Sequence, residues 1–233
     1  MLARCIGIAA ALAAFAHSAG THAARPFVTD DARIVDTGGC QIESFVKHQR
    51  RHREDEFWFL PGCTPVGQVE LTLGGIRTDN ATEGISSTAI AQAKTLLRTL
   101  RTNDFGLALT LGAARLNTID PALARGWSPY VNAIGSLSVL DDAAVIHANA
   151  GSIRDRVMSR TRATWGLGAE IALTSRLFAI VEGYGQEAER PSRQVGLRFW
   201  VMPNRFQIDC TVGAQPGEPR SNRWTSVGIR ALF

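Results

Sequence analysis

The sequence predicts an all-β protein: a transmembrane antiparallel up-and-down β-barrel of about twelve strands. Three observations carry that expectation. Twelve segments alternate apolar and polar residues, the connections between them alternate short and long, and the chain stops on a strictly alternating strand that ends at Phe233. A two-residue period sends successive side chains to opposite faces of a strand. In a membrane barrel one of those faces meets lipid and the other lines the lumen.

Residues 1–24 read as a secretory signal peptide. An early Arg4 precedes an apolar run from Ile6 to Ala16 and then small residues, and that run is well short of the ~20 residues a spanning helix needs. Cleavage after Ser18, Ala23 or Ala24 fits the small-residue pattern, and Cys5 leaves with the peptide. Residues 25–37 read as a periplasmic N-terminal segment and residues 38–233 as the barrel. No later stretch is apolar enough for a spanning helix, so a closed barrel is the remaining way to cross a bilayer. The formal charge of +4 falls to +3 without Arg4. So small an excess argues against nucleic acid as a partner.

The alternating segments are 38–48, 55–62, 66–78, 85–101, 104–116, 128–140, 143–153, 161–173, 176–186, 191–202, 205–213 and 223–233. Val195, Leu197, Phe199 and Val201 alternate with Gln194, Gly196, Arg198 and Trp200, and Trp165, Leu167, Ala169 and Ile171 with Thr164, Gly166, Gly168 and Glu170. In the last segment Val227, Ile229, Ala231 and Phe233 share one face, with Ser226, Gly228 and Arg230 on the other. Segment 85–101 is ambiguous, because Ala91, Ala93, Leu96 and Leu97 would also suit a helix.

Thr102 with Asn103, Asp141 with Asp142, Thr174 with Ser175 and Pro203 with Asn204 mark tight turns. Longer polar links fall at 48–55, 78–84, 117–129, 154–160, 187–190 and 214–222. Outer-membrane barrels have short periplasmic turns and longer external loops. With an even strand number and both termini in the periplasm, the long links lie outside.

Facing residues in an antiparallel pair sum to a constant, and Cys40 with Cys63 centres the first hairpin between Arg51 and His52. That register sets Lys47 opposite Glu56 on the lumen face, and Ile42 and Val46 opposite Pro61 and Phe57 on the lipid face. A disulfide between Cys40 and Cys63 would close the hairpin in an oxidising compartment. Cys210 alternates with lipid-facing residues and reads as a small apolar side chain.

The opposite face collects the pore-lining candidates Glu43, Lys47, Glu56, Glu70, Lys94, Arg98, His147, Glu170, Glu182, Arg198, Arg205, Asp209 and Arg230, with Gln68, Gln92, Asn132 and Asn149. Their charges balance in sign, which argues against a strongly ion-selective pore. They suit either a paired network filling a narrow bore or a lumen that passes small solutes. His147, with Ser136 and Ser138 on the preceding strand, offers parts of a hydrolase, which would need the hydroxyl, the imidazole and an orienting carboxylate to converge; a satisfied polar residue of the lumen is the expected role. Gly74 with Gly75, and Gly166 with Gly168, are not phosphate loops, because no helix follows them. His48 and His52 share an arginine-containing loop, where solvated charge outweighs a metal site. Neither a metal nor a cofactor is expected. Arg50, Arg51, Arg53, Arg154, Arg156 and Arg160 in the external loops suit phosphate groups of lipopolysaccharide.

Residues 25–31, R-P-F-V-T-D-D, followed by G-G-C-Q-I-E-S-F and by Q-A-K-T-L-L-R at 92–98, resemble the outer-membrane proteins grouped under the phenol meta-cleavage pathway family. The resemblance implies an outer-membrane barrel and transport of small organic compounds, aromatic ones among them. It supplies no residue-level site. The closing strand with Phe233 resembles the assembly signal read by barrel-assembly machinery.

The expectation is therefore a non-enzymatic channel for small organic solutes in the outer membrane of a Gram-negative cell, lipid and lipopolysaccharide being its surroundings. A structural or envelope-interaction barrel with a closed lumen is the alternative, and a lipid-modifying barrel enzyme the third reading. Tyr130, Phe178, Tyr184 and Trp200 are the expected inward rings.

Overall fold

The computed structural model describes residues 28–50, 53–82, 84–118, 126–155, 159–215 and 223–233. The signal-peptide reading of 1–24, residues 25–27, and Arg51, His52 and Arg156 all lie outside the described residues. Twelve antiparallel strands follow in chain order: β1 (Cys40–Gln49), β2 (Glu54–Val66), β3 (Val69–Asn80), β4 (Gly84–Arg98), β5 (Phe105–Asn117), β6 (Ser128–Val139), β7 (Ala144–Asp155), β8 (Arg160–Ala172), β9 (Leu177–Gln186), β10 (Ser192–Met202), β11 (Phe206–Ala214) and β12 (Arg223–Leu232). Each pairs with its sequence neighbours, and β1 pairs with β12 to close the barrel. Closure gives every strand two partners, which is what a sheet needs where no water can satisfy a free edge.

The predicted register of the first hairpin holds: Cys40 faces Cys63, Lys47 faces Glu56 and Val46 faces Phe57. Cys40 and Cys63 form a disulfide. At the same end the backbones of Cys40 and Phe233 exchange hydrogen bonds of 2.7 and 2.9 Å, fastening the last residue to the first strand. Along β12, Val227 is 54% exposed to the membrane side and Arg230 3%, as the alternation requires. The ambiguous segment is a strand, since β4 pairs along its length with β3 and β5.

Three features differ from expectation. β2 runs four residues further than predicted, through Pro61 to Val66, with a register irregularity between Cys63 and Val66 that accommodates Pro65. Several strands also extend further towards the external side, so most external links are short. The connections 118–127 and 215–222 remain the long ones, and the sorting of loops by length is weaker than the sequence suggests. The third is a β-bulge in β4. Leu96 pairs with Ala108 but Arg98 pairs with Leu107, leaving Leu97 between them. One extra residue reverses the faces that follow it.

Turn and wall chemistry explain the tight hairpins. Asn103, Asp141, Asp142 and Asn204 adopt φ of 56, 56, 66 and 58°, in the left-handed region where Asn and Asp are the favoured non-glycine residues. On the inner wall Tyr130 lies over Gly112 and Trp224 over Gly213. A Cβ at either glycine would fall 2.4 or 2.1 Å from the ring opposite, so these rings lie flat against the sheet only because glycine faces them.

The disulfide closes a 23-residue separation, for which chain entropy gives about 3 kcal/mol. Replacing both cysteines with Ser is expected to lower unfolding stability in urea-titrated bilayers by about that amount, with strand content by circular dichroism unchanged.

Candidate functional site

The bore is the candidate site, and its floor is a segment of the same chain. Residues 28–37 form no strand. They run from the disulfide-closed end of the barrel up into the lumen, where Thr29, Asp31, Ala32 and Val35 are buried. The periplasmic placement expected for residues 25–37 is thus revised for the part described. Side chains of the wall hold this segment by its backbone. Val28 and Thr29 N–H donate to the two carboxylate oxygens of Glu182 at 2.9 and 2.8 Å. Asn149 accepts from Asp30 N–H at 2.7 Å and donates to the Asp30 carbonyl at 2.8 Å. Ala32 N–H donates to Ser136 Oγ at 2.9 Å and Val35 N–H to Glu70 Oε2 at 3.1 Å. Buried amides need partners, and here wall side chains replace the ladder that a strand would supply.

Charges reinforce the docking. Lys94 Nζ lies 2.8 Å from Asp30 and 3.2 Å from Asp31. Arg33 lies 3.8 Å from Asp31 and 3.7 Å from Glu170. Burial pushes the Asp31 carboxyl up, but Lys94 and Arg33 beside it prevail and hold it below the ordinary carboxylate range.

Ser136, His147 and Glu170 converge as parts of a hydrolase would. Ser136 Oγ is 2.8 Å from His147 Nδ1, and His147 Nε2 is 3.2 Å from Glu170. The carboxylate is Glu170, one of the lumen-facing candidates, on the adjacent strand β8. However, Ser136 Oγ already accepts the Ala32 amide, His147 is 0% exposed, and Arg198 lies 2.9 Å from the same Glu170 oxygen. A nucleophile needs an approach path for its substrate. This row of groups pins the inner segment instead.

A second chain of contacts runs from Arg230 Nε to Gln41 at 2.7 Å, from Gln41 to Glu70 at 3.1 Å, and on to Val35. Arg230 also faces Glu43 at 3.7 Å. Asp209 is buried beside Arg198 in register. Gln194 donates to Glu182 and accepts from Trp224 Nε1 at 3.1 Å. Lys47 and Glu56 pair at 2.7 Å nearer the external rim. Among these groups remains a cavity of about 30 Å³, lined by Asp31, Lys94, His147 and Glu170 among others, which is room for one or two waters. Ala32 also meets Ala108, Ile134 and Leu96, making a small apolar core inside a bore expected to be polar.

Two pore-lining candidates fall elsewhere. The β4 bulge turns Arg98 to the outer face at the periplasmic rim, where it pairs with Asp104 at 2.6 Å and lies 3.7 Å over the Phe105 ring. Arg205 sits exposed in the turn before β11. Gln68 likewise lies in a turn, between β2 and β3. The other eleven candidates face inward.

Above the inner segment a cavity of about 490 Å³ opens to the external rim, lined by Trp58, Tyr130, Tyr184, Gln92, Asn132 and Asn149 among others. Tyr130 donates to Gln92 at 2.8 Å, and Phe45 stacks on Trp58 at 4.9 Å. Phe45, Trp58 and Trp224 thus join the four expected inward rings, and the lumen is richer in aromatic side chains than predicted. Alternation in β1 and β2 placed Phe45 and Trp58 inward already.

Solved structures share the architecture. The KdgM porin superposes with a TM-score of 0.62 at 11% identity, covering 83% of this chain and 99% of its own. The NanC porin gives 0.60 at 6% identity, covering 82% and 98%. The COG4313 outer membrane channel from Pseudomonas putida F1 gives 0.57 at 14% identity, covering 87% and 98%. At such identities the likeness is one of fold. No curated protein matches the sequence. A family model, described as "Uncharacterised conserved protein UCP029691", matches residues 11–233, so the chain whose barrel and inner segment are described above belongs to that family.

Proposed function

We propose that this protein is an outer-membrane channel for small organic solutes, closed at mid-height by its own N-terminal segment. One observation carries the reading: residues 28–37 fill the bore without joining the sheet. The amides of Val28, Thr29, Asp30, Ala32 and Val35 bond to wall side chains rather than to strand backbone, so the segment can leave while every ladder stays intact. The fold shared with two porins and an outer membrane channel supports passage as the role. Export by cleavage within the first 24 residues, a Gram-negative outer membrane and recognition of the terminal strand by assembly machinery belong to the same reading.

The chemistry of the bore bears on the solute. Lys47, Lys94, Arg198, Arg230 and Arg33 face a larger number of carboxylates, among them Glu43, Glu56, Glu70, Glu170, Glu182, Asp209, Asp30 and Asp31. A KdgM porin has been solved in complex with oligogalacturonate, a polyanion that this acidic bore would repel. Aromatic rings with amide and hydroxyl groups in the outer cavity suit uncharged organic molecules. Aromatic compounds, which the phenol-pathway resemblance implies, fit that description. Catalysis is not part of the reading, because the histidine a hydrolase would use is sealed beneath Ala32. Arginines of the external loops would contact lipopolysaccharide phosphate.

The second reading, a structural barrel with a permanently closed lumen, is favoured by the small residual cavity within the charged network. Planar-bilayer conductance separates the two. The protein without its signal segment is expected to show brief, rare openings, and a variant lacking residues 28–36 a steady conductance several-fold larger. A correctly inserted deletion variant that stays silent overturns the channel.

Two further outcomes follow from the docking contacts. In a Cys210→Ser background, Ala32→Cys is expected to resist a water-soluble maleimide. Adding Lys94→Met, which removes the cation shared by Asp30 and Asp31, should speed labelling roughly tenfold or more. Asp31 contributes docking free energy above the free-carboxyl value of 3.8, and that contribution is lost as pH falls towards its depressed native value. Openings should therefore become more frequent on acidification below about 4, and Asp31→Asn should open more often already at neutral pH, with a weaker acid response.

A further inference from the structure

On the outer face, at the external end of β10, β11, β12 and β1, a groove of about 620 Å³ is bordered by Arg50, Arg193 and Arg223 and floored by Val195, Val212 and Ala214. We infer that this groove binds a phosphate-bearing lipid of the outer leaflet, with the headgroup between the arginines and an acyl chain along the valines. The inference rests on the reading of the chain as a membrane barrel.

The register builds the site. Arg193 pairs with Ala214, and Ala214 with Arg223. The two arginines are therefore two strands apart, about 10 Å, across a residue too small to fill the space between them. Arg50 N–H donates to the Arg223 carbonyl at 3.2 Å, which brings the third guanidinium to the same edge. Two residues deeper, Val195 faces Val212 and Val212 faces Thr225, so the groove turns apolar towards the hydrocarbon. His48, on the same edge, is turned to Asp55 at 2.7 Å, leaving the arginines to supply the charge.

Charge complementarity decides the occupant. All three arginines are exposed, and among the described residues none of their side chains makes an ion pair or hydrogen bond. The valine floor of the groove suits an acyl chain, and three guanidiniums without a carboxylate partner suit a phosphate that each can bind through two N–H groups. Arginine at the membrane surface can lay its stem on apolar wall and keep its head at the phosphate level. A small anion would use the arginines but leave the valine floor idle. A phosphorylated lipid uses both.

The test reconstitutes the protein in phosphatidylcholine vesicles doped with bis-phosphorylated lipid A or with its dephosphorylated form. Retained lipid is read by native mass spectrometry and affinity by a fluorescent analogue. Protease protection in undoped vesicles checks barrel insertion first, so failure of the barrel reading shows there and failure of the groove only in the doped samples. The expected result is retention of the phosphorylated lipid at least about tenfold above the dephosphorylated one. The triple variant Arg50→Gln, Arg193→Gln, Arg223→Gln should lose that preference. Arg77→Gln with Arg115→Gln, two exposed arginines elsewhere on the outer face, should keep it. Equal retention of the two lipids, an unchanged triple variant, or displacement of the lipid by millimolar inorganic phosphate each overturns the inference, the last by showing a simple anion site.

Discussion

The closure of β1 on β12 is the constraint from which the rest of this structure follows. A sheet in hydrocarbon cannot leave N–H and C=O groups exposed at an edge, so the first and last strands must meet. Once they do, alternation becomes a division between lipid and lumen, and each charged residue in a strand is committed to the inside. Twelve strands leave a bore between the filled small barrels and the open large ones. Charges confined in such a space need partners. The wall supplies some of them to itself, as with Lys47 and Glu56. Others meet residues 28–37, whose amides and carboxylates fit between Glu182, Asn149, Ser136, Lys94 and Glu70.

Much of the fold is legible from the sequence because strand periodicity is a local signal. The pairing of Cys40 with Cys63 alone fixes a register that the Lys47 and Glu56 pair and the Val46 and Phe57 pair then confirm. The bulge at Leu97 is not legible in this way. One inserted residue leaves the apolar and polar pattern of 85–101 looking continuous, yet it carries Arg98 from the bore to the outer rim. The strand extensions past the predicted ends reflect polar residues near the external rim, where ladder bonding continues after the hydropathy signal has faded.

The inner segment was hidden for a different reason. Thr29 to Val35 has no two-residue period, and its partners lie far along the chain, Glu182 being 153 residues from Thr29. Such contacts leave no spacing to recognise. Glu70, Glu182 and Asn149 each have a wall neighbour as partner as well as a backbone amide of the segment, so their inward placement alone does not reveal it. His147 was the residue most open to misreading. Its geometry with Ser136 and Glu170 resembles catalytic machinery, but the hydroxyl is already engaged by a backbone amide, and what the constellation holds in place is Ala32.

The disulfide stands where the inner segment meets the barrel. Gly38 N–H bonds to the Thr64 carbonyl at 2.7 Å and Thr64 N–H to the Gly39 carbonyl at 3.0 Å, beside the Cys40 to Cys63 bridge. The segment is thus tethered to the rim by a joint locked covalently on one side and by a ladder on the other. On the proposed channel reading, a segment that left the bore would remain a ligand on a short leash, facing its cradle at an effective concentration on the order of millimolar. Recapture is then a unimolecular event. The dwell time of a vacated lumen would then be set by leash length and stiffness, independently of how many copies of the protein share the membrane.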